Sequence, residues 1–236
     1  MRLDKYLTQC SELTRSLAGV AIRQGRVRVN DKVIKSSSLK INTQDTVLLN
    51  GQALKDKIGP RYFMLHKPAG YICANSDEQH AVVFTLLTDE INLHKLHTVG
   101  RLDLDTTGLV LISDDGPWSH AITSPKHHQT KAYRVWLSEP LIADAEQQVA
   151  TGIMLRDEKY PTKPGTLERI SATEVILTIS EGRYHQVKRM FAALGNRVIK
   201  LHRQSVGGVC LDDNLQAGQY RALTPQEISR LGKASS

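Results

Sequence analysis

The spacing of apolar residues changes period along this chain, and each change marks an element. Over residues 2–10, Leu3, Tyr6, Leu7 and Cys10 recur at i, i+3, i+4 and i+7, which predicts one face of a short helix. Thr14 is placed to cap a second helix with Leu17, Val20 and Ala21 on its buried side and Gly25 as its stop. The period then drops to two: Val27 and Val29 alternate with Arg26 and Arg28, Asn30-Asp31 is a tight-turn pair, and Val33 and Ile34 begin a return strand. Residues 46–49 predict a further strand closed by Asn50-Gly51. The stretch 51–61, with Gly51, Lys55, Asp56, Lys57, Gly59 and Pro60, is polar and turn-rich and reads as a linker.

Beyond it, residues 62–66 and 71–74 read as strands around a Lys67-Pro-Ala-Gly70 turn, and 82–87 suits a short helix. The continuous apolar run 109–112 has the pattern of a strand buried on both faces. A turn at 114–117, with Pro117 near a helix start, leads into a helix to Thr123. Residues 131–137 place Tyr133, Val135 and Leu137 on one strand face, 142–149 looks helical, and 175–179 is a strong strand. Val187, Met190, Phe191 and Leu194 then make an apolar helix face that Gly195 ends. This mixture is α+β.

Composition narrows the class. The 236 residues are 40% apolar, enough for a core, and no stretch approaches the ~18 apolar residues of a membrane span. The opening Met-Arg-Leu-Asp-Lys lacks the apolar core of a secretory signal, so a cytoplasmic protein is expected. Cys10, Cys73 and Cys210 are isolated and odd in number, and His127 and His128 are adjacent rather than at metal-ligand spacing. No metal site is expected.

The net charge of +7 is uneven. Residues 1–58 hold 11 Lys/Arg against 5 Asp/Glu, whereas residues 59–236 hold 20 against 19. A basic module on a near-neutral body points to a polyanion, because neutralised phosphates release counterions. Arg15, Arg23, Arg26, Arg28 and Lys32 could share its outer face.

Two stretches carry candidate chemistry. Residues 100–108, Gly-Arg-Leu-Asp-Leu-Asp-Thr-Thr-Gly, set two carboxylates and an arginine in a loop that apolar, strand-like sequence flanks. A polar loop held by rigid strands is a common way of positioning an active site. Residues 183–203 hold Arg183, Lys188, Arg189, Arg197, Lys200 and Arg203 and no acidic residue, which predicts a local phosphate-facing surface.

Arg2-Leu-Asp-Lys-Tyr-Leu, Thr14-Arg15 and Gly25-Arg-Val-Arg-Val-Asn30 resemble the small RNA-binding domain named after a ribosomal protein of the small subunit, here the S-four-type domain. Lys67-Pro-Ala-Gly70, the 100–108 loop, Lys131-Ala-Tyr133 and Glu181-Gly-Arg-Tyr-His-Gln-Val-Lys-Arg-Met190 are similar, in order and spacing, to the motif set of RNA pseudouridine synthases. The resemblance implies an S-four-like RNA-binding domain over residues 1–58 and a larger catalytic domain over residues 59–236. The latter would have a mostly antiparallel mixed sheet flanked by helices and a cleft across the sheet. Its implied activity is isomerisation of a uridine to pseudouridine in small-subunit ribosomal RNA, or an assembly intermediate containing it, by a monomer that needs no cofactor. Large-subunit RNA is the nearest alternative.

Carried onto residues, the resemblance makes Asp103 the catalytic aspartate, Tyr133 the tyrosine that stacks on the target base, and Lys188 the basic partner of Asp103. Leu201 would pack beside them, and Arg101 would contact RNA near the extruded nucleotide. Arg183, Arg189, Arg15, Arg26 and Arg28 are expected to bind the RNA backbone. A single carboxylate suffices as nucleophile in such chemistry. Attack on the ribose anomeric carbon, attack on carbon 6 of the base and removal of a ribose proton all fit an aspartate. Asp105 is expected to shape the loop and to point away from Asp103, since two close ionised carboxylates repel. Two rivals from other classes are an RNA-binding assembly factor that has lost catalysis and a glycoside hydrolase using Asp103 and Asp105.

Overall fold

The helix and strand periods at the start of the chain fold as two short helices followed by a small sheet. In the computed structural model, which describes residues 1–42, 44–54, 59–124 and 129–232, α1 is Leu3–Cys10 and α2 is Arg15–Arg23. Strands β1 (Val27–Val29), β2 (Lys32–Val33), β3 (Val47–Leu49) and β4 (Gln52–Ala53) pair antiparallel in the order β2-β1-β3-β4. Thr14 caps α2 as expected, its side chain accepting from the Leu17 amide at 3.3 Å. Asn30 and Asp31 both have positive φ, 48° and 64°, the backbone that a two-residue hairpin turn requires.

The buried stripe of α2 is Ala18, Ala21 and Ile22, whereas Leu17 is 51% exposed. Leu17 precedes that i, i+3, i+4 stripe by one position, about 100° around the helix, so the expected face was one residue out of phase. Leu3, Tyr6, Leu7, Ala21, Val27 and Val47 are among the residues that close the core of this unit. The unit comprises Met1–Pro60 and, from much later in the chain, Asp89–Lys95. Asn92 of that later segment is buried, its amide donating to Glu12 and its side-chain nitrogen to the Ser11 carbonyl, and Lys95 donates to the Thr8 carbonyl at 2.7 Å. Lys55, Asp56 and Lys57 of the expected linker, and the boundary after residue 58, lie outside the described residues.

The second unit, Arg61–Thr88 with Leu96–Ser236, is built on one large sheet. In chain order its elements are β5 (Tyr62–Lys67), β6 (Tyr71–Ile72), β7 (Ala81–Val82), β8 (His97–Val99), β9 (Thr107–Ser113), α3 (Gly116–Thr123) and β10 (Lys131–Leu137). There follow α4 (Ala145–Thr151), β11 (Thr166–Arg169), β12 (Glu174–Ile179), α5 (Gln186–Ala193), β13 (Val198–Val206), β14 (Val209–Cys210), β15 (Tyr220–Ala222) and α6 (Pro225–Gly232). The nine-stranded sheet runs β11-β12-β10-β13-β9-β5-β15, with β14 on β13 and β8 on β9. Every pairing in it is antiparallel except β9 with β13, giving the expected mixed, mostly antiparallel sheet.

Three expectations shift. Residues 82–87 form only a 3-10 turn over Val83–Leu86, in a stretch where β-branched Val82, Val83 and Thr85 disfavour an α-helix. The 71–74 strand shrinks to Tyr71–Ile72, which pairs in parallel with β7. The 142–149 helix begins three residues later, at Ala145. The expected turn at 114–117 becomes a cap, with Asp115 accepting from the Trp118 amide at 3.1 Å and Pro117 in the first turn. Met64, Leu109, Leu111, Trp118, Ile122 and Leu231 share one core cluster on one face of the sheet.

The parallel pair fixes the loop that precedes β9. Gly108 lies in register with Arg203, has φ +108°, and a Cβ built there would sit 2.3 Å from the Arg203 carbonyl oxygen. Only glycine lets β9 come this close to β13.

Candidate active site

The loop 100–106 enters β9 beside β13, and its underside is held by a lysine. Lys67, the last residue of β5, is fully buried on the strand face that also carries Phe63 and Leu65. Its Nζ donates to the carbonyls of Thr106 (2.7 Å), Asp103 (3.0 Å), Pro68 (3.1 Å) and Leu104 (3.3 Å). Burial lowers the affinity of this amine for its proton, and Cys73, Asp105 and Asp103 work the other way.

On the outer side of the loop stands Lys188, in the first turn of α5. It donates to both carboxylate oxygens of Asp105, at 2.6 and 2.9 Å, and lies 3.5 Å from Asp103 Oδ2. Lys188 is therefore shared, and its shorter contact is with Asp105. This corrects the expectation that Asp105 points away: a cation placed between two carboxylates removes the repulsion that would drive them apart. Burial pulls the Lys188 amine down, but its bonds to Asp105 and the two carboxylate charges outweigh this and raise it. For Asp105, burial pushes up and the Lys188 ammonium more than offsets it, leaving the carboxyl below its ordinary value. Asp103 has a second neighbour, His185 Nε2, 3.5 Å from its Oδ1. His185 precedes α5 with φ +47°, a conformation rare outside glycine, and stacks on exposed Tyr184 at 3.8 Å between ring centroids.

Asp103, Tyr184, His185 and Lys188 line a cavity of about 550 Å³ together with Arg101, Lys131, Tyr133, Leu201 and Arg203. Tyr133 and Arg203 are direct partners across β10 and β13, so their side chains share the cavity face of the sheet. Leu201 is buried among them and Arg101 is exposed at the loop. Five expected site residues, Asp103, Tyr133, Lys188, Leu201 and Arg101, are thus gathered in one place.

The expected basic surface over 183–203 is not one surface. Arg183 pairs with Glu181 and Glu158 and donates to the carbonyls of Tyr160 and Pro161. Arg189 pairs with Glu158 at 2.9 Å and donates to the Arg156 carbonyl. Both guanidinium groups tie the 156–161 segment to α5, and Arg183 also lines the cavity. Arg203 is buried, donating to the Leu109 and Arg101 carbonyls. In the first unit Arg15, Arg26 and Arg28 are all exposed; Arg15 lies 3.6 Å from Asp4 and Arg26 donates to Asn50.

The sequence reading missed Lys67 as a loop anchor, and also His185, Lys131 and Arg203. For Lys67 a signal existed, since Phe63, Leu65 and Lys67 fall on one strand face. Cys10, Cys73 and Cys210 are free thiols, burial raising that of Cys73. Among the described residues no cluster of three or more His, Cys, Asp or Glu could hold a metal, and no helix is long and apolar enough to cross a membrane. His127 and His128 lie outside the described residues.

Comparison with known proteins gives the family. Residues 61–193 match the family model described as RNA pseudouridylate synthase, and residues 1–47 match the S4 domain. The chain is 52% identical to ribosomal small subunit pseudouridine synthase A of Salmonella typhimurium over 98% of its length and all of that protein. It is 51% identical to the Escherichia coli protein of that name over 97% of this chain and 99% of that one. A crystal structure of a pseudouridylate synthase, 50% identical, superposes with a TM-score of 0.71 over 98% of this chain and 99% of the other. With its motifs, its sheet and its near full-length likeness in agreement, the chain belongs to the RNA pseudouridylate synthase family, behind an S4 domain.

Proposed function

We propose that this enzyme isomerises one uridine of small-subunit ribosomal RNA to pseudouridine, with Asp103 as catalytic nucleophile. The observation that carries this reading is the convergence of Asp103, Tyr133 and Lys188 on one cavity of about 550 Å³, a volume suited to a single extruded nucleotide. The names of the relatives that match nearly end to end supply the substrate class.

Isomerisation breaks the bond from ribose to N1, turns the uracil and rebonds ribose to C5, so the target must leave the base stack. Tyr133 offers a ring for the base to stack on, an interaction worth ~1 to 3 kcal/mol per base. Lys188 holds the two loop carboxylates together, and Arg101 meets RNA at the rim. The S4 unit holds the surrounding RNA through Arg15, Arg26 and Arg28, which present charge to phosphate rather than read base edges. The protein acts as a monomer, in the cytoplasm where the RNA is made, with the division between its RNA-binding and catalytic parts near residue 58. Arg183 lines the cavity and Arg189 follows on α5, and both add positive charge for the RNA backbone while paired with Glu158.

Mapping pseudouridine in ribosomal RNA from cells lacking the protein, then restoring it with purified enzyme, tests the assignment. One small-subunit site should disappear and return. Loss of a large-subunit site instead would transfer the substrate to that RNA. Asp103→Asn should abolish turnover while RNA affinity stays within a few-fold; a variant that still turns over would remove Asp103 from the chemistry and leave an RNA-binding assembly role standing.

A further inference from the structure

Two lysines, Lys131 and Lys188, line the cavity, and they are held in opposite ways. Lys188 sits between two carboxylates and keeps its proton. Lys131 has no carboxylate within ion-pair distance among the described residues, and its Nζ donates to the backbone carbonyl of Gln129 at 2.6 Å. Its cross-strand neighbours are Ile179 on β12 and Val206 on β13, both buried and apolar. The charged groups that line the same cavity are Arg203 from β13, Asp103 and Arg101 from the loop, and Glu181, Arg183, His185 and Lys188 from α5 and the segment before it. Of these Arg203 is the charge that bears on Lys131, and its Nη2 is buried without a partner.

Every route from uridine to pseudouridine shares a late step. Once C1′ is bonded to C5, that carbon still carries its hydrogen and N1 lacks one. The C5–H bond must break, its electron pair returning to the ring, and N1 must gain a proton. Asp103 is engaged with the sugar or base, Lys188 is fixed as a cation, and Arg203 cannot lose a proton. Tyr133 has no hydrogen-bond partner among the described residues to take its proton.

Resting on the reading of this cavity as the isomerisation site, we propose that Lys131 is the proton-transfer residue of the reaction. Its neutral amine takes the proton from C5 of the C-glycosyl intermediate, and the resulting ammonium delivers a proton to N1. The exchange is balanced, with no oxidant, metal or co-substrate. Burial between apolar neighbours, reinforced by Arg203, brings the Lys131 amine down to about 8, so a usable share is neutral near pH 7. The sign follows: the reactive form is the deprotonated one, so the step accelerates as pH rises and levels above about 8.

The test uses the full-length protein and a small-subunit ribosomal RNA transcript carrying either uridine or 5-deuterouridine. In the unmodified enzyme the step should fall about tenfold per pH unit below its midpoint near 8, and a deuterium isotope effect should grow as pH falls. Lys131→Gln and Lys131→Arg should each lose about 100-fold or more in kcat, keep KM and RNA affinity within a few-fold, and show the isotope effect at all pH values. The arginine variant keeps the charge and length, so its loss separates proton transfer from positioning. An unmodified enzyme with a flat pH profile and no isotope effect at any pH overturns the proposal without recourse to a variant. So does a Lys131→Arg enzyme with more than a tenth of the original kcat. An unmodified enzyme that forms no pseudouridine in ribosomal RNA would overturn the substrate assignment, and the proton step with it.

Discussion

The two sides of the 100–108 loop are each held by a lysine, and the two attachments differ in kind. Below, Lys67 is wholly buried and grips backbone carbonyls. Above, the Lys188 side chain is 28% exposed and grips carboxylates that belong to the candidate chemistry. Carbonyls are present whatever residue occupies the loop, so Lys67 fixes the path of the chain. Carboxylates are specific to Asp103 and Asp105, so Lys188 fixes the aim of side chains. One attachment is scaffold and the other is reactive, and they can be broken separately.

The largest effect should come from below. Lys67→Met keeps the volume but leaves up to four carbonyls without their donor, each costing about 1 to 3 kcal/mol where water cannot replace it. A stability loss of about 3 kcal/mol or more is expected in denaturant unfolding, with activity lost as the loop slackens. Equal stability would show that the carbonyls find other donors. Breaking the upper attachment should do the reverse. Lys188→Met should cost under about 1 kcal/mol, as partly exposed ion pairs do, yet lower kcat about 100-fold, as loss of one preorganised charge does. A Lys188 variant that unfolds like the Lys67 variant would erase the distinction between scaffold and reactive attachment.

The smallest effect sharpens the upper side alone. Asp105→Asn removes the shorter partner of Lys188 and frees the ammonium for Asp103, so kcat should change less than about tenfold. Because Asp105 lies below its ordinary carboxylate value, its ion pair is present above that value and is lost only as pH falls through the depressed one. The Asn variant should therefore differ from the parent at neutral pH and converge with it in acid. A loss as large as that of Asp103→Asn would give Asp105 an equal share in the chemistry.

Much of this was legible in the chain. Periodicity placed β10, β12 and the apolar face of α5, because each of these elements has one buried face and its neighbours alternate accordingly. The Asn30-Asp31 turn was legible because few residues tolerate positive φ. Charge was much less so. Arg183, Lys188, Arg189 and Arg203 read alike as basic residues, yet one pairs with Asp105 eighty-three residues away, two with Glu158, and one lies buried beneath the cavity. A sequence window shows the sign of a charge but not its partner, which tertiary pairing decides. Leu17 was misplaced for a simpler reason: in a nine-residue helix a stripe shifted by one position scores almost as well.

The segment Asp89–Lys95 has a consequence for how separable the S4 unit is. The chain leaves that unit at Pro60, runs through β5 of the large sheet and the separate β6-β7 pair, and returns for seven residues whose buried Asn92 completes it. Residues 1–60 alone are therefore an incomplete unit, and a transplant of them onto another enzyme would carry an open seam at Ser11 and Glu12. A deletion of the same residues would in turn remove the Glu12 and Ser11 bonds of Asn92. The S4 unit is a woven part of this protein rather than a detachable handle.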